Sequence, residues 1–209
     1  MARILITSGP TRQHIDPVRY LTNASSGRMG AGLAQAALDL GHEVVMVSGP
    51  VDVDYPDRCH IIPVISTEEM LEAARDAFAH CDGLIGAAAP CDYRPVRVAD
   101  HKISKTGEPI ALNLVETEDV VATLASDKGD RWVVGFALET EDHRFRALVK
   151  LAHKHCDLMV SNGADAMESL TNEVEILTPQ GDVLAELAGP KEEVAQGILA
   201  VINDRLIRG

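Results

Sequence analysis

Along the chain the apolar positions change period repeatedly. Ile4-Leu5-Ile6 and Val44-Val45-Met46-Val47 are short unbroken apolar runs, the form taken by strands buried on both faces of a parallel sheet. Between them Met29, Leu33, Ala36, Ala37 and Leu40 recur at helical spacing, and Gly41 stops that helix. Residues 60–64 form another short strand. Ser66-Thr-Glu-Glu69 then has the form of a capping box for a helix to about residue 80 that buries Met70, Leu71, Ala74, Ala77 and Phe78. Strands follow at 83–88, 132–137 and 158–161. Between these lie helices at about 119–128 and from Glu139-Thr-Glu-Asp142 onward, the latter with Phe145, Leu148, Val149 and Ala152 as its buried stripe. Residues 173–177 and 183–187 read as a hairpin, and a last helix covers about 191–206. The alternation predicts an α/β, three-layer Rossmann-like fold with a largely parallel central sheet and a C-terminal hairpin plus helix. Periodicity lapses from 90 to about 114, so a flap is expected near residues 92–114.

The length, 209 residues, fits a single domain spanning 1–209. A net charge of −13 opposes general binding to nucleic acid or an anionic membrane, though it leaves room for a local basic site. No apolar run approaches a membrane span, and Met1-Ala2-Arg3 enters a strand rather than a signal-peptide core, so a cytoplasmic protein is expected. Cys59, Cys81, Cys91 and Cys156 lack CxxC spacing and are expected as free thiols.

One connection stands apart. From Ser8 to Gly30 the chain reads SGPTRQHIDPVRYLTNASSGRMG, far longer than an ordinary strand-to-helix loop. It carries Arg12, Arg19 and Arg28 and the rigid pairs Gly9-Pro10 and Asp16-Pro17. Asn23-Ala-Ser25-Ser26-Gly27 stands at the start of a helix, where backbone N–H groups attract anions. This is a shaped loop for a phosphorylated or carboxylated ligand. In open α/β sheets such loops converge beyond the carboxyl ends of the strands. The other junctions there are 87–92, 135–140 and 161–165.

The segment resembles the signature of phosphopantothenoylcysteine synthetases, GPTRExxDPVRxxxNxSSGxMG, with Gln13 where the family usually has Glu. The resemblance extends through Gly86-Ala-Ala-Ala89 with Asp92-Tyr93-Arg94, Lys102-Ile103-Ser104-Lys105, Gly135 to Thr140, and Asp157 to Asn162. Thr117-Glu118-Asp119-Val120 replaces a usual Asn-Pro-Asp-Ile, and Ser104 removes one positive charge from a lysine-rich run. The resemblance implies a ligase of coenzyme A biosynthesis. It would activate 4'-phosphopantothenate with Mg2+ and a nucleoside triphosphate, CTP favoured over ATP, to an acyl-nucleotide such as an acyl-cytidylate, which the amine of cysteine then opens. Asn23 and Lys102 are implied as catalytic, with Lys105 auxiliary. Nucleotide contacts are implied for Gly86, Ala87, Ala88, Asp92, Lys102, Glu118, Asp119, Val120, Val121, Phe136, Lys150 and Lys154. Gly9, Arg12, Arg19, Ser25, Ser26 and Gly27 form the substrate and phosphate loop, without a decision as to which arginine holds the phosphate. Asn23 is expected to orient an acyl oxygen. A homodimer closed by the flap is implied, with a separate decarboxylase chain in the pathway and no flavin in this chain.

Two other classes compete. A nucleotide- or phosphate-binding module without catalysis would keep the loop arginines and glycines but would not need Lys102 and Asn23 together. An NAD-dependent oxidoreductase is suggested by Gly27-x-x-Gly30-x-Gly32, but that fingerprint follows its strand directly and wants an acidic residue ending the second strand, where this chain has Ser48-Gly49-Pro50. His153, His155 and Cys156 face different directions on a helix end and make a poor metal set.

Overall fold

The unbroken apolar runs form the middle of one large sheet, as their double-sided burial requires. The structure, a computed structural model, describes residues 1–139, 142–163 and 171–208. Strand β1 (Arg3–Ser8) leads into a small hairpin, β2 (Arg12–His14) and β3 (Tyr20–Thr22), before helix α1 (Arg28–Asp39). Then come β4 (Glu43–Ser48), β5 (His60–Pro63), α2 (Thr67–Phe78) and β6 (Gly83–Gly86). The flap carries β7 (Tyr93–Pro95) and β8 (Leu114–Glu116), paired antiparallel. After it follow α3 (Val120–Ser126), β9 (Trp132–Glu139), α4 (His143–His153), β10 (Leu158–Gly163), β11 (Thr171–Leu177), β12 (Val183–Pro190) and α5 (Lys191–Ile202), which ends in a π-helical turn, Asn203–Ile207.

Eight strands pair in the order β12-β11-β10-β9-β6-β1-β4-β5. The six from β10 to β5 are parallel, and β11 and β12 add an antiparallel edge. From β1 the chain winds outward to β5 on one side and then, from β6, outward on the other. The strand order therefore reverses between β1 and β6, where an open sheet of this kind offers a crevice to ligands. Alternation along β1 supplies both faces: Ile4 and Ile6 join α1 and α5 through Leu33 and Ile198. Leu5 joins α2, α3 and α4 through Met70, Leu124 and Leu151. This is the expected three-layer architecture. No helix among the described residues is long and apolar enough to cross a membrane.

The start of α2 is capped as expected: Ser66 Oγ accepts from Glu69 N at 3.1 Å, while Glu69 reaches back to Ile65 N at 2.8 Å. Elsewhere the structure corrects the pattern. Strand β9 runs on to Glu139 and α4 starts at His143, so the helix placed at Glu139-Asp142 begins later. On α4 the buried positions are Ala147 and Leu151, whereas Phe145 is 70% and Val149 53% exposed. The helix carries two apolar stripes, and only the small Ala147 lets it close onto the sheet. Arg144 on this helix pairs with Glu175 on β11. Leu40 lies past the end of α1 and is exposed. The first loop, expected as irregular, contains the β2–β3 hairpin, whose three-residue strands are too short to show a period. Thr140 and Asp165, expected at strand-to-loop junctions, lie outside the described residues.

Candidate active site: the crevice between β1 and β6

Three polar nodes fix the first loop. Thr11, Thr67 at the head of α2 and the Cys91 backbone close a triangle: Thr11 Oγ1 lies 2.8 Å from Thr67 Oγ1 and accepts from Cys91 N at 2.8 Å, and Thr67 Oγ1 donates to Cys91 O at 3.1 Å. Because the single Thr67 hydroxyl proton goes to Cys91 O, Thr11 is the donor to Thr67. The second node explains the family departure at position 13. Gln13 Nε2 donates to Glu68 Oε2 at 2.8 Å, and Glu68 also pairs with Arg94 at 3.0 Å. A glutamate at 13 would set two carboxylates against each other. The third node is Asp16, fully buried, which accepts from Val18 N, Arg19 N, Arg19 Nη1 and Ile103 N. Burial alone would raise its carboxyl, but these N–H donors and the Arg19 charge outweigh it and hold it below the usual carboxylate range.

At the far end of the loop, Gly27 takes φ +75° and caps α1 without a side chain. A Cβ there would also meet Val51 Cγ1 at 2.8 Å, so both conformation and space demand glycine. The first N–H groups of α1 have no partners within the helix and face a cavity of about 400 Å³ lined by the 23–30 segment and the 87–90 turn. Asn23 stands at its edge. Its Nδ2 donates to Ala89 O at 3.2 Å and Pro90 O at 2.9 Å. Two carbonyl partners fix the amide orientation and commit the nitrogen, so the side chain offers Oδ1 as an acceptor. As an acceptor, Oδ1 can take an N–H.

The neighbouring cavity, about 270 Å³, is walled by the end of β6, the head of α3 and Phe136 of β9. Gly86 lets α3 approach, since a Cβ there would sit 2.5 Å from Val121 Cγ2. Of the expected nucleotide residues, Gly86, Ala88, Asp92, Glu118, Asp119, Val120, Val121, Phe136 and Lys154 line this cavity, while Ala87 and Lys150 line the adjoining one. Asp119 caps α3 through Ala122 N at 2.9 Å and pairs with Lys154 at 2.9 Å. Burial pushes its carboxyl up, but those two partners prevail and keep it low.

Ala88, Pro90, Asp92 and Phe136 belong to both cavities, which therefore form one crevice with a charge gradient. The α3 end carries Asp92, Glu116, Glu118 and Asp119 against Lys154. Among the described residues the α1 end carries Arg28, Lys150 and Lys191 against Asp92. An elongated ligand with an uncharged hydrogen-bonding head and an anionic body matches that gradient.

Other expected residues sit elsewhere. Arg12 stacks over Tyr20, 4.6 Å from the ring centre, and lines a shallow depression shared with Asn23, Ser25 and Ser26. Arg19 is engaged by Asp16 and by Ile103 O at 3.1 Å. Gly9 acts through its backbone, its carbonyl accepting from Ala89 N at 2.9 Å. Lys102 and Lys105 are exposed on the flap and line neither cavity. Sequence reasoning missed Thr7, Glu116, Asn172 and Lys191, isolated polar positions that belong to no motif. Among the described residues no group of three His, Cys, Asp or Glu is placed to hold a metal ion, and burial pushes the Cys156 thiol up to about 12, far from a ligand's needs.

Comparison with known proteins places this geometry in a wider set. The family described as DNA/pantothenate metabolism flavoprotein C-terminal domain matches residues 1–206. A coenzyme A biosynthesis bifunctional protein CoaBC of Bacillus subtilis (strain 168) is 43% identical over 164 residues, 78% of this chain and 40% of the relative. The CoaBC protein of Vibrio vulnificus (strain YJ016) is 41% identical over 186 residues, 86% of this chain and 46% of the relative. The chain thus spans less than half the length of these curated relatives. The crystal structure of a C-terminal domain of CoaBC superposes with a TM-score of 0.84 at 38% identity, covering 99% of this chain and 96% of that one.

Proposed function

Since the chain belongs to the family of DNA/pantothenate metabolism flavoprotein C-terminal domains, we propose that it is a phosphopantothenoylcysteine synthetase, acting in coenzyme A biosynthesis. The observation that carries this reading is the charge gradient of the crevice, with Asn23 at the joint between its two halves. A nucleoside head suits the acidic end, where carboxylates accept from amino and hydroxyl groups, and the phosphates and the phosphorylated acid suit the basic end.

In the first step the carboxylate oxygen of 4'-phosphopantothenate bonds to the α-phosphorus of the nucleotide as the bond to pyrophosphate breaks. In the second the cysteine amine bonds to the acyl carbon, the acyl–phosphate bond breaks, and the nucleoside monophosphate leaves. Neither step needs a protein nucleophile; alignment and charge neutralisation are the protein's task. Lys150 and the N-terminus of α1 face the anionic body of the ligand. Asn23 Oδ1, held by its committed amide nitrogen, accepts from the incoming amine and directs it at the acyl carbon. Magnesium fits the donor set: among the described residues Asp92 is the one carboxylate on the wall common to both cavities, and this ion takes few protein carboxylates alongside phosphate and water. Bound there, the ion would neutralise triphosphate charge. CTP is the proposed nucleotide, supported by the resemblance to bacterial members.

Lys102 is proposed to act across a homodimer. Its own segment is strapped to the first loop through Ile103 and through Ala99 N to Ile15 O at 2.9 Å, while the flap exposes Tyr93, Val96, Val98, Ile110, Leu112 and Leu114. That apolar surface supports a second copy as its cover, which would bring each flap to the neighbour's crevice. A cytoplasmic setting, where the free cysteines stay reduced, and a flavin-dependent decarboxylase consuming the product complete the proposal.

The test is pyrophosphate release with Mg2+ and 4'-phosphopantothenate, CTP against ATP, with and without cysteine. Release that requires the acid, with an amide product once cysteine is added, is the expected result. Folded protein that releases none with either nucleotide would leave a binding role in its place.

A further inference from the structure

The C-terminal third of the chain delivers two polar side chains to the basic end of the crevice that no motif announces. Lys191 opens α5 and is only 6% exposed; Asn172, on β11, is also 6% exposed. They meet because β11 and β12 pair at the open end of their hairpin, Asn172 opposite Gly189 and Thr171 opposite Pro190, one residue before Lys191. Both line the same cavity as the N-terminus of α1.

Asn172 is placed at a cost that a ligand would relieve, and Lys191 brings a positive charge to the same cavity. Asn172 Oδ1 is buried with no hydrogen-bond partner among the described residues, and leaving such an acceptor dry is unfavourable. The Lys191 ammonium is buried, it sits in the first turn of a helix where positive charge is disfavoured, and Arg28 faces it with like charge. Burial and Arg28 push its pKa down, with Glu192 partly opposing them. Arg28, Lys150 and Lys191 converging with the N-terminus of α1 on one cavity call for an anion, and the unpaired Asn172 oxygen calls for a hydroxyl or amide N–H close to that anion. A phosphomonoester with a hydroxyl and an amide along its chain offers both.

Resting on the proposed function, we infer that Lys191 and Asn172 set the specificity for a phosphorylated acid: Lys191 donates to its phosphomonoester against the N-terminus of α1, and Asn172 accepts from the hydroxyl or amide N–H beside it. The distance from the reacting carboxylate makes these residues determinants of binding and not of the chemical step.

The experiment is a two-by-two comparison in calorimetric titration of the full chain: wild type and Lys191→Met, each with 4'-phosphopantothenate and with unphosphorylated pantothenate. Methionine keeps the aliphatic stem and drops the charge. Lys191→Met should weaken the phosphorylated ligand by roughly tenfold to a hundredfold, the scale of one charge-assisted hydrogen bond, and leave the unphosphorylated one unchanged. In turnover the loss should fall on KM for the acid, with kcat and KM for the nucleotide within about twofold. Asn172→Ala, a second variant independent of the lysine, should weaken both ligands alike, because hydroxyl and amide are present in each. Equal loss for both ligands in Lys191→Met, or no loss, overturns the inference while leaving the synthetase reading in place. Failure of the wild type to bind the phosphorylated acid would instead overturn the functional reading and this inference with it.

Discussion

Replacing Thr11 by valine tests whether the triangle of Thr11, Thr67 and Cys91 holds the crevice wall. Valine fills the same space in a fully buried position, so packing changes little. What goes is the hydroxyl, and with it two of the three bonds: the donation to Thr67 and the acceptance from Cys91 N. Thr67 keeps its bond to Cys91 O, so its own proton stays satisfied. The Cys91 N–H does not, and a buried donor left without a partner costs about 1–3 kcal/mol. A loss of about 2 kcal/mol corresponds to a fall in Tm of roughly 4–8 °C for a chain of this size. Thr11→Ser is the control: it keeps the hydroxyl and removes one buried methyl, a loss of about 0.8 kcal/mol. Urea and thermal unfolding of the three proteins would give the order. Valine should be clearly the least stable, and its KM for the nucleotide should rise, since Asp92 follows the loosened Cys91. A valine variant as stable as the serine variant, with unchanged KM, would sink the argument that these hydrogen bonds matter.

Other predictions follow from the same contacts. Lys102→Gln should lower kcat by about a hundredfold, the scale of one lost electrostatic stabiliser, and normal turnover would remove it from the mechanism. Mixing Lys102→Gln subunits with Asn23→Ala subunits should restore about a quarter of wild-type activity if the flap crosses a dimer, because half the dimers are mixed and each holds one intact site; a mixture as inactive as its parents would place Lys102 in its own subunit's site. His42 accepts from Ala2 N and bonds Asn203 Oδ1, and burial, partly opposed by Asn203, pushes its imidazole below the usual 6.5. The unfolded chain therefore takes up the proton first: this contribution to stability is full above about pH 6.5 and is lost as pH falls toward the folded value. Urea midpoints measured from pH 8 to 5 should drop over that range, and a His42→Gln variant should flatten the drop. Burial pushes Cys81 up to about 11 and Cys156 up to about 12, so neither should react with a thiol reagent near neutral pH until the chain unfolds, with the half-buried Cys59 the first to label. Rapid native-state labelling at Cys156, read by peptide mapping, would contradict its burial.

Much of the sheet could be read from the chain because burial on both faces leaves an unmistakable run, and Val44-Val45-Met46-Val47 lies wholly inside β4. The rotation of α4 could not. Phe145 with Val149 and Ala147 with Leu151 are equally good i,i+4 pairs in sequence, and only the sheet's demand for a small residue at the contact separates them. At the site, the dense motif in the first loop pointed to the crevice between β1 and β6, since glycine, proline and capping requirements are local. Local reasoning could not tell which polar groups face the ligand and which are tied up by the fold. Asn23 has committed its nitrogen to Ala89 and Pro90, Arg19 is held by Asp16, and Lys102 lies away from its own chain's cavities. Nor could it find Lys191 and Asn172, whose adjacency arises only when two strands pair.

The β11–β12 hairpin brings its two useful side chains together at its open end, so its tip is the place farthest from them. That tip, residues 178–182, turns through Gly181 at φ +88° and is stitched by Thr178 N to Asp182 O at 3.0 Å. The six residue steps from Asn172 to Thr178, at about 3.4 Å each, put it roughly 20 Å from Asn172. A fluorophore, an affinity handle or a short inserted peptide at the tip should report on the molecule without touching its chemistry. Deleting one residue from β12 would be another matter: it would draw Lys191 along the sheet by a full step and reverse the faces of the strand it follows.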